Sequence, residues 1–177
     1  MSWQEFYRAD SILIKYLGSY CTKNNIKLSI AGFYKKNQSN QETRFFKKNL
    51  INFKKLKWKI YSRENMFASY KLLDKAKLVV FLDSALGYEA LMRNTKVVSV
   101  CIRRAVNRKF GWPKKLKSQG PFWTNSFDEI KINQILDNII NINQIRWNKM
   151  KKKYINDLIF FNKNNSLFKQ ELKKILQ

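Results

Sequence analysis

The chain has 177 residues, 45% hydrophobic and 15% aromatic, which suits one domain with a core and is too apolar for a disordered polyelectrolyte. Its 36 Lys and Arg against 12 Asp and Glu give a formal net charge of +24. That field attracts phosphates of any kind, and because an AT-rich coding bias toward Lys, Asn and Ile also produces it, it does not choose among nucleic acid, nucleotide and lipid headgroup.

In chain order, Phe6, Ala9, Leu13, Tyr16, Leu17 and Tyr20 recur on one face of a predicted amphipathic helix from Gln4 to about Lys23, ended by Asn24-Asn25. Ile26 to Phe33 reads as a buried strand with Gly32 near its end. A polar loop around Gln38 to Asn40 leads to a helix marked by Phe45, Phe46 and Leu50. Trp58 to Tyr61 is a short strand, followed by a helix carrying Phe67, Tyr70, Leu72 and Leu73. Leu78 to Leu82 is the strongest strand, continuous and rich in β-formers. A helix near Leu86 to Met92 and a strand at Val97 to Ile102 follow. Arg103 to Gly120 is a long basic loop, of a length that inside compact domains tends to be functional. Ser126-Phe-Asp-Glu129 has the form of a capping box, Ser126 as N-cap and Glu129 reaching back. It opens a helix with Ile132, Ile135, Leu136, Ile139 and Ile140 on one face. Two further helical stretches run from Gln144 to about Phe161 and from Leu167 to Leu176.

Strands alternate with helices, and the central strands are apolar on both faces. The pattern predicts an α/β fold: a Rossmann-like parallel sheet with helices on both faces and a helical C-terminal tail. We divide it into a nucleotide-binding unit at 1–142 and a tail at 143–177 packing on it. At least four strands, Ile26–Phe33, Trp58–Ser62, Leu78–Leu82 and Val97–Ile102, are expected in one parallel sheet.

In such sheets ligands gather at the carboxyl ends of the strands, where helix N-termini present free N–H groups. Asp83-Ser84-Ala-Leu-Gly87-Tyr-Glu89 follows the strongest strand. Asp83 or Ser84 can cap the helix, Gly87 removes a side chain where something approaches the backbone, and Glu89 lies within reach of two ribose hydroxyls. Spacing alone favours plain capping and a solvated Glu89. The loop Arg103-Arg104-Ala-Val-Asn-Arg108-Lys109 fits a diphosphate or an acidic sugar and fits a solvated basic loop equally well. Trp112 and Trp123 are candidates for stacking on a base or sugar, although core packing is the commoner fate of either alone. Arg63, just past the Trp58 strand, is a further candidate phosphate contact. Histidine is absent and Cys21 and Cys101 stand far apart, so no thiolate or imidazole metal cluster is expected. The cysteines read as small buried hydrophobes in a reducing compartment.

The stretch from Ser69 to Leu91 (SYKLLDKAKLVVFLDSALGYEAL), with Phe110-Gly-Trp-Pro113 and Gly120-Pro-Phe-Trp-Thr-Asn125 in that order, resembles the donor-binding region of bacterial surface carbohydrate biosynthesis proteins. These are two-domain glycosyltransferases of the GT-B type, and the resemblance covers roughly Phe6 to Trp147. It implies that Glu89 holds the ribose of a nucleotide sugar and that Ser84 and Gly87 contact phosphate or sugar. It implies a nucleotide-sugar donor and a glycan or glycolipid acceptor; no DxD-like metal site is visible, so no cofactor or metal is expected. A whole GT-B enzyme has a second Rossmann-like domain, so the chain is expected to be a truncated product, a remnant or a subunit partnered by a separately encoded N-terminal half. A cytoplasmic location is expected, with peripheral contact at the anionic inner face of the plasma membrane, since no apolar run is long enough to span a bilayer and no signal-peptide stretch is seen.

Two other functions compete. A basic nucleic-acid-binding module accounts for the charge and for the lysines between Lys149 and Lys153, but no nucleic-acid motif is present. A nucleotide-sugar epimerase-like half shares the fold, but its paired acid/base residues are not evident.

Overall fold

The computed structural model describes residues 3–38, 40–65, 67–102, 116–158, 164 and 166–176. The first helix, α1, spans Trp3–Lys23 and buries the face carrying Ala9, Leu13, Leu17 and Tyr20. Asn25 ends it in the left-handed region (φ 51°), which Asn tolerates, and the Ile26 N–H closes the turn onto the Cys21 carbonyl at 2.8 Å. Strand β1 (Leu28–Ala31) leads through a short 3₁₀ turn at Lys36–Gln38 to α2 (Asn40–Leu50) and β2 (Trp58–Tyr61). Then come α3 (Ala68–Leu73), β3 (Val79–Phe81), α4 (Ala85–Met92) and β4 (Val97–Val100). The chain continues as β5 (Gln119–Gly120), β6 (Trp123–Thr124), α5 (Glu129–Asn141), α6 (Gln144–Lys152), α7 (Ile155–Leu158) and α8 (Ser166–Ile175).

The fold is mixed α/β, with parallel strands connected through helices and a helical C-terminal region. The strands form two ladders instead of the single sheet expected. β1 and β2 pair in parallel, from Leu28↔Trp58 to Ala31↔Tyr61. The second ladder has the order β3-β4-β6-β5, in which β3, β4 and β6 run parallel and β5 is antiparallel to β6. The difference follows side-chain chemistry. Val97, Val98, Ser99 and Val100 are all 0% exposed, and because successive residues point to opposite faces, both faces of β4 are covered. Helices α4 and α5 both pack on it. In β1 and β2, by contrast, only Ile30 is buried, while Ser29, Ala31 and Lys59 are exposed.

The hairpin of β5 and β6 begins at Gln119 and overlaps the sequence motif Gly120 to Asn125, which carried no strand expectation. Gly120 faces Trp123 across the hairpin, and a Cβ on it would lie 2.1 Å from the indole. Glycine is what permits that close pairing. Trp123 then extends the parallel ladder beside Ser99.

A second correction concerns the start of α5. Its N-cap is Asp128, whose Oδ1 accepts from the N–H groups of Ile130 (2.9 Å) and Lys131 (3.3 Å). Ser126 stands one step back, its hydroxyl accepting from the Asp128 N–H at 3.1 Å. The carboxylate two residues later is the stronger acceptor for the helix's free donors, so the expected capping box with Ser126 and Glu129 is not formed.

Trp147 of α6 is fully buried, 5.3 Å edge-on to Phe122, and Tyr154 packs on Trp123 at 5.0 Å. This part of the tail therefore shares the core of the four-stranded sheet. Lys151 of α6 is 8% exposed and donates to the Leu91 carbonyl at 3.3 Å and to Asn94 Oδ1, a cation at the C-terminal end of α4. Burial lowers its pKa. Among the described residues no helix is long and apolar enough to cross a membrane.

Candidate functional site

The β3–α4–β4 unit builds the site. Three apolar residues make β3, and the chain leaves its carboxyl end at Leu82-Asp83 and enters α4 through Ser84. Ser84 has extended backbone (φ −72°, ψ 134°), and its Oγ accepts from the Leu86 N–H at 3.3 Å. The hydroxyl thus satisfies one donor of the helix terminus, and the positive end of α4 opens at the carboxyl edge of the sheet. Asp83 beside it is half-buried.

Gly87 has a different reason from the one the sequence suggested. It is buried, and a Cβ placed on it would lie 2.1 Å from Phe81 Cγ. The group approaching the backbone is the Phe81 ring of β3, not a ligand. Tyr88, the next residue, lies edge-on to the same ring at 5.3 Å.

Glu89 is half-buried and turned toward α3, where its Oε2 accepts from the Tyr70 hydroxyl at 2.5 Å. That bond raises the Tyr70 pKa. Arg93, one turn on, lies over the Tyr70 ring with Cζ 5.5 Å from the centroid and pairs with Asp74 at 2.6 Å. The Asp74 carboxylate raises the Arg93 pKa. Glu89 is therefore a carboxylate fixed in a network joining α3 to α4, not a solvated helix residue.

Because β3, β4 and β6 are parallel and in register at Phe81↔Ser99↔Trp123, the residues after each lie on one edge, at strand spacings of roughly 4.8 Å. Cys101, after β4, donates its thiol to the Leu82 carbonyl at 3.3 Å and lies 3.0 Å from Ser99 Oγ. The bond ties the turn after β3 to the end of β4. Burial, with Cys101 and Asp83 nearby, pushes the Tyr88 hydroxyl up to about 12. After β6 comes Asn125, whose Oδ1 is buried and has no hydrogen-bond partner among the described residues. An unsatisfied carbonyl in that position costs about 1–3 kcal/mol unless something donates to it. Sequence inspection placed Asn125 in a motif without singling it out. Only the parallel pairing of β6, which sets it beside Cys101, shows its position on this edge.

Arg63 is exposed at the carboxyl end of β2, its backbone N–H donating to the Tyr34 carbonyl at 3.0 Å. It stands beside an open depression of about 510 Å³ lined by Lys35, Lys36, Asn37 and Glu64. It follows the two-stranded ladder, whereas Ser84 and Glu89 follow β3 of the other one. Trp123 is corrected: at 2% exposure, with its indole N–H donating to the Lys117 carbonyl at 2.9 Å, its faces are spent on the core and closed to a base or sugar. Arg103, Arg104, the loop to Lys109 and Trp112 lie outside the described residues.

A family model described as "putative O-antigen biosynthesis protein" matches residues 1–176. Comparison with curated proteins returns no match, and comparison with solved structures returns none.

Proposed function

The chain belongs to this family of O-antigen biosynthesis proteins, and on that premise we propose that it binds a nucleotide sugar at the carboxyl edge of the four-stranded sheet, as the donor-binding half of a GT-B-type glycosyltransferase. The observation that carries this most directly is Glu89. It is a carboxylate held by Tyr70 on the second turn of a helix whose N-terminus opens on that edge. A diphosphate over the α4 terminus gains from the helix dipole and the basic surroundings, and ribose hydroxyls donate to the Glu89 carboxylate. Asp83 and Ser84 stand next to the phosphates. Gly87 contributes by seating α4 on Phe81. Arg63, Arg103 and Arg104 supply further cations. Residues 1–142 form the binding unit, with the tail packed on it. The acceptor is a glycan or glycolipid handled at the inner face of the membrane.

Calorimetric titration with a panel of nucleoside diphosphates tests the site. Weak binding is expected, and Glu89→Gln lowers it by roughly 1.5–3 kcal/mol, the worth of a charge-assisted hydrogen bond. Tyr70→Phe keeps the carboxylate and frees its orientation, so its effect is smaller. Equal affinity for the parent and Glu89→Gln removes the ribose role. GT-B catalysis closes two domains around donor and acceptor, and that positioning supplies on the order of 7–11 kcal/mol of barrier lowering. The 177-residue chain alone is therefore expected to bind donor without transferring sugar.

A further inference from the structure

Helix α8 contrasts with α6. α6 buries Trp147 and Lys151, whereas no described residue of α8 belongs to the core. The described side chains of α8 combine an apolar patch with lysines. Leu172, Ile175 and Leu176, at positions i, i+3 and i+4, expose 37%, 79% and 80% of their surface. The Leu176 N–H bonds to the Leu172 carbonyl at 3.1 Å, so the helical turn continues through this patch. Lys169 and Lys173, aligned at i and i+4, border this patch, each three residues before one of its leucines, and Lys174 lies on the far side of the helix; all three are exposed. Lys174 holds Glu171 at 2.7 Å, the helix's one acidic side chain.

We propose that α8 is an interfacial anchor that lies in the plane of an anionic lipid surface. Leu172, Ile175 and Leu176 enter the acyl boundary while Lys169 and Lys173 at their border reach headgroup phosphates. Two chemistries on one helix fix the occupant. Nucleic acid offers phosphates but nothing for the apolar stripe. A second copy offers a stripe but brings another charge of +24 with it. An anionic bilayer answers both. The inference does not rest on the nucleotide site, none of whose residues is on α8.

Flotation of the full chain with phosphatidylcholine vesicles, with and without phosphatidylglycerol, tests it. The parent is expected to float with the anionic vesicles alone. The double variant Ile175→Ser/Leu176→Ser, which leaves the charge unchanged, is expected to bind them at least about tenfold more weakly, because each buried aliphatic side chain is worth that much or more. Circular dichroism of the variant confirms that the fold survives. Undiminished binding by the serine variant would mean that net charge alone holds the chain, and would overturn the proposal. So would absence of flotation by the parent, or a parent dimer in sedimentation velocity that the serine variant splits.

Discussion

The space that a methyl group would need at Gly87 is filled by the stem of the Phe81 ring, which cannot swing aside as the end of a long side chain can. Gly87→Ala therefore sets overpacking, about 1–3 kcal/mol, against the helix propensity gained, about 1 kcal/mol. A net loss is expected in urea unfolding, and Phe81→Val in the same chain recovers most of it. An unchanged midpoint for Gly87→Ala would show that the contact is softer than its geometry. Cys21 gives a pH dependence. Burial pushes its thiol from 9.0 up to about 11, so the folded state holds the proton more tightly than the unfolded chain does. Its contribution is complete below pH 9 and is lost as pH rises through about 11, because the unfolded state ionises first. Stability measured across that window should fall less steeply for Cys21→Ala than for the parent. Equal slopes would remove the thiol as the cause. Cys21 is buried as its sequence reading had it, whereas Gly87 shows how partial the sequence was at this scale. It marked Gly87 as a place of close approach but could not say what approached, since the contact with Phe81 depends on how α4 settles on β3.

Helix termini carry the next set of consequences. Asp128→Ala removes the acceptor for two N–H groups of α5 and is expected to cost about 1 kcal/mol, and more than Ser126→Ala. The reverse order in denaturant midpoints would restore Ser126 as the cap. At the other end of α4, Lys151→Met keeps the stem but leaves the Leu91 carbonyl and Asn94 without their donor, for an expected loss of about 1–3 kcal/mol. Element order was largely legible: α1, β1, α2, β2, α3, β3, α4 and β4 all fall where periodicity and turn residues put them, with strand ends trimmed. The β5–β6 hairpin was not. A two-residue strand has no periodicity to detect, and its Gly-Pro-Phe-Trp motif reads as a loop until the pairing with β4 is known. The capping box failed because Ser126 and Asp128 both read as good caps, and the stronger carboxylate acceptor takes the free N–H groups of α5.

For the molecule as a whole, parallel pairing was readable from strand–helix alternation, whereas the division into two ladders was not. Exposed Ser29, Ala31 and Lys59 mark it, yet neighbouring apolar residues hide that signal in the sequence. The candidate edge of Asp83, Ser84 and Glu89 was legible because it is local, while Tyr70 and Asn125 join it only through tertiary structure. Trp147 shows how far the tail is part of the whole. Truncating it to Ala opens a cavity against Phe122, for an expected loss of roughly 3–5 kcal/mol. A chain stopped at residue 142 should lose cooperative unfolding altogether, and a sharp transition in that fragment would show that the core closes without α6. The hydroxyl bonds of α1 carry a last consequence. Tyr16 donates to the Phe127 carbonyl and Tyr20 to Asp137, across 111 and 117 residues of chain. On a ribosome adding about 5–20 residues per second, α1 emerges on the order of ten seconds before the helix that covers it. During that interval its tyrosine row stands open, and a holding chaperone or an early contact with α2 must keep the nascent chain from associating with its neighbours.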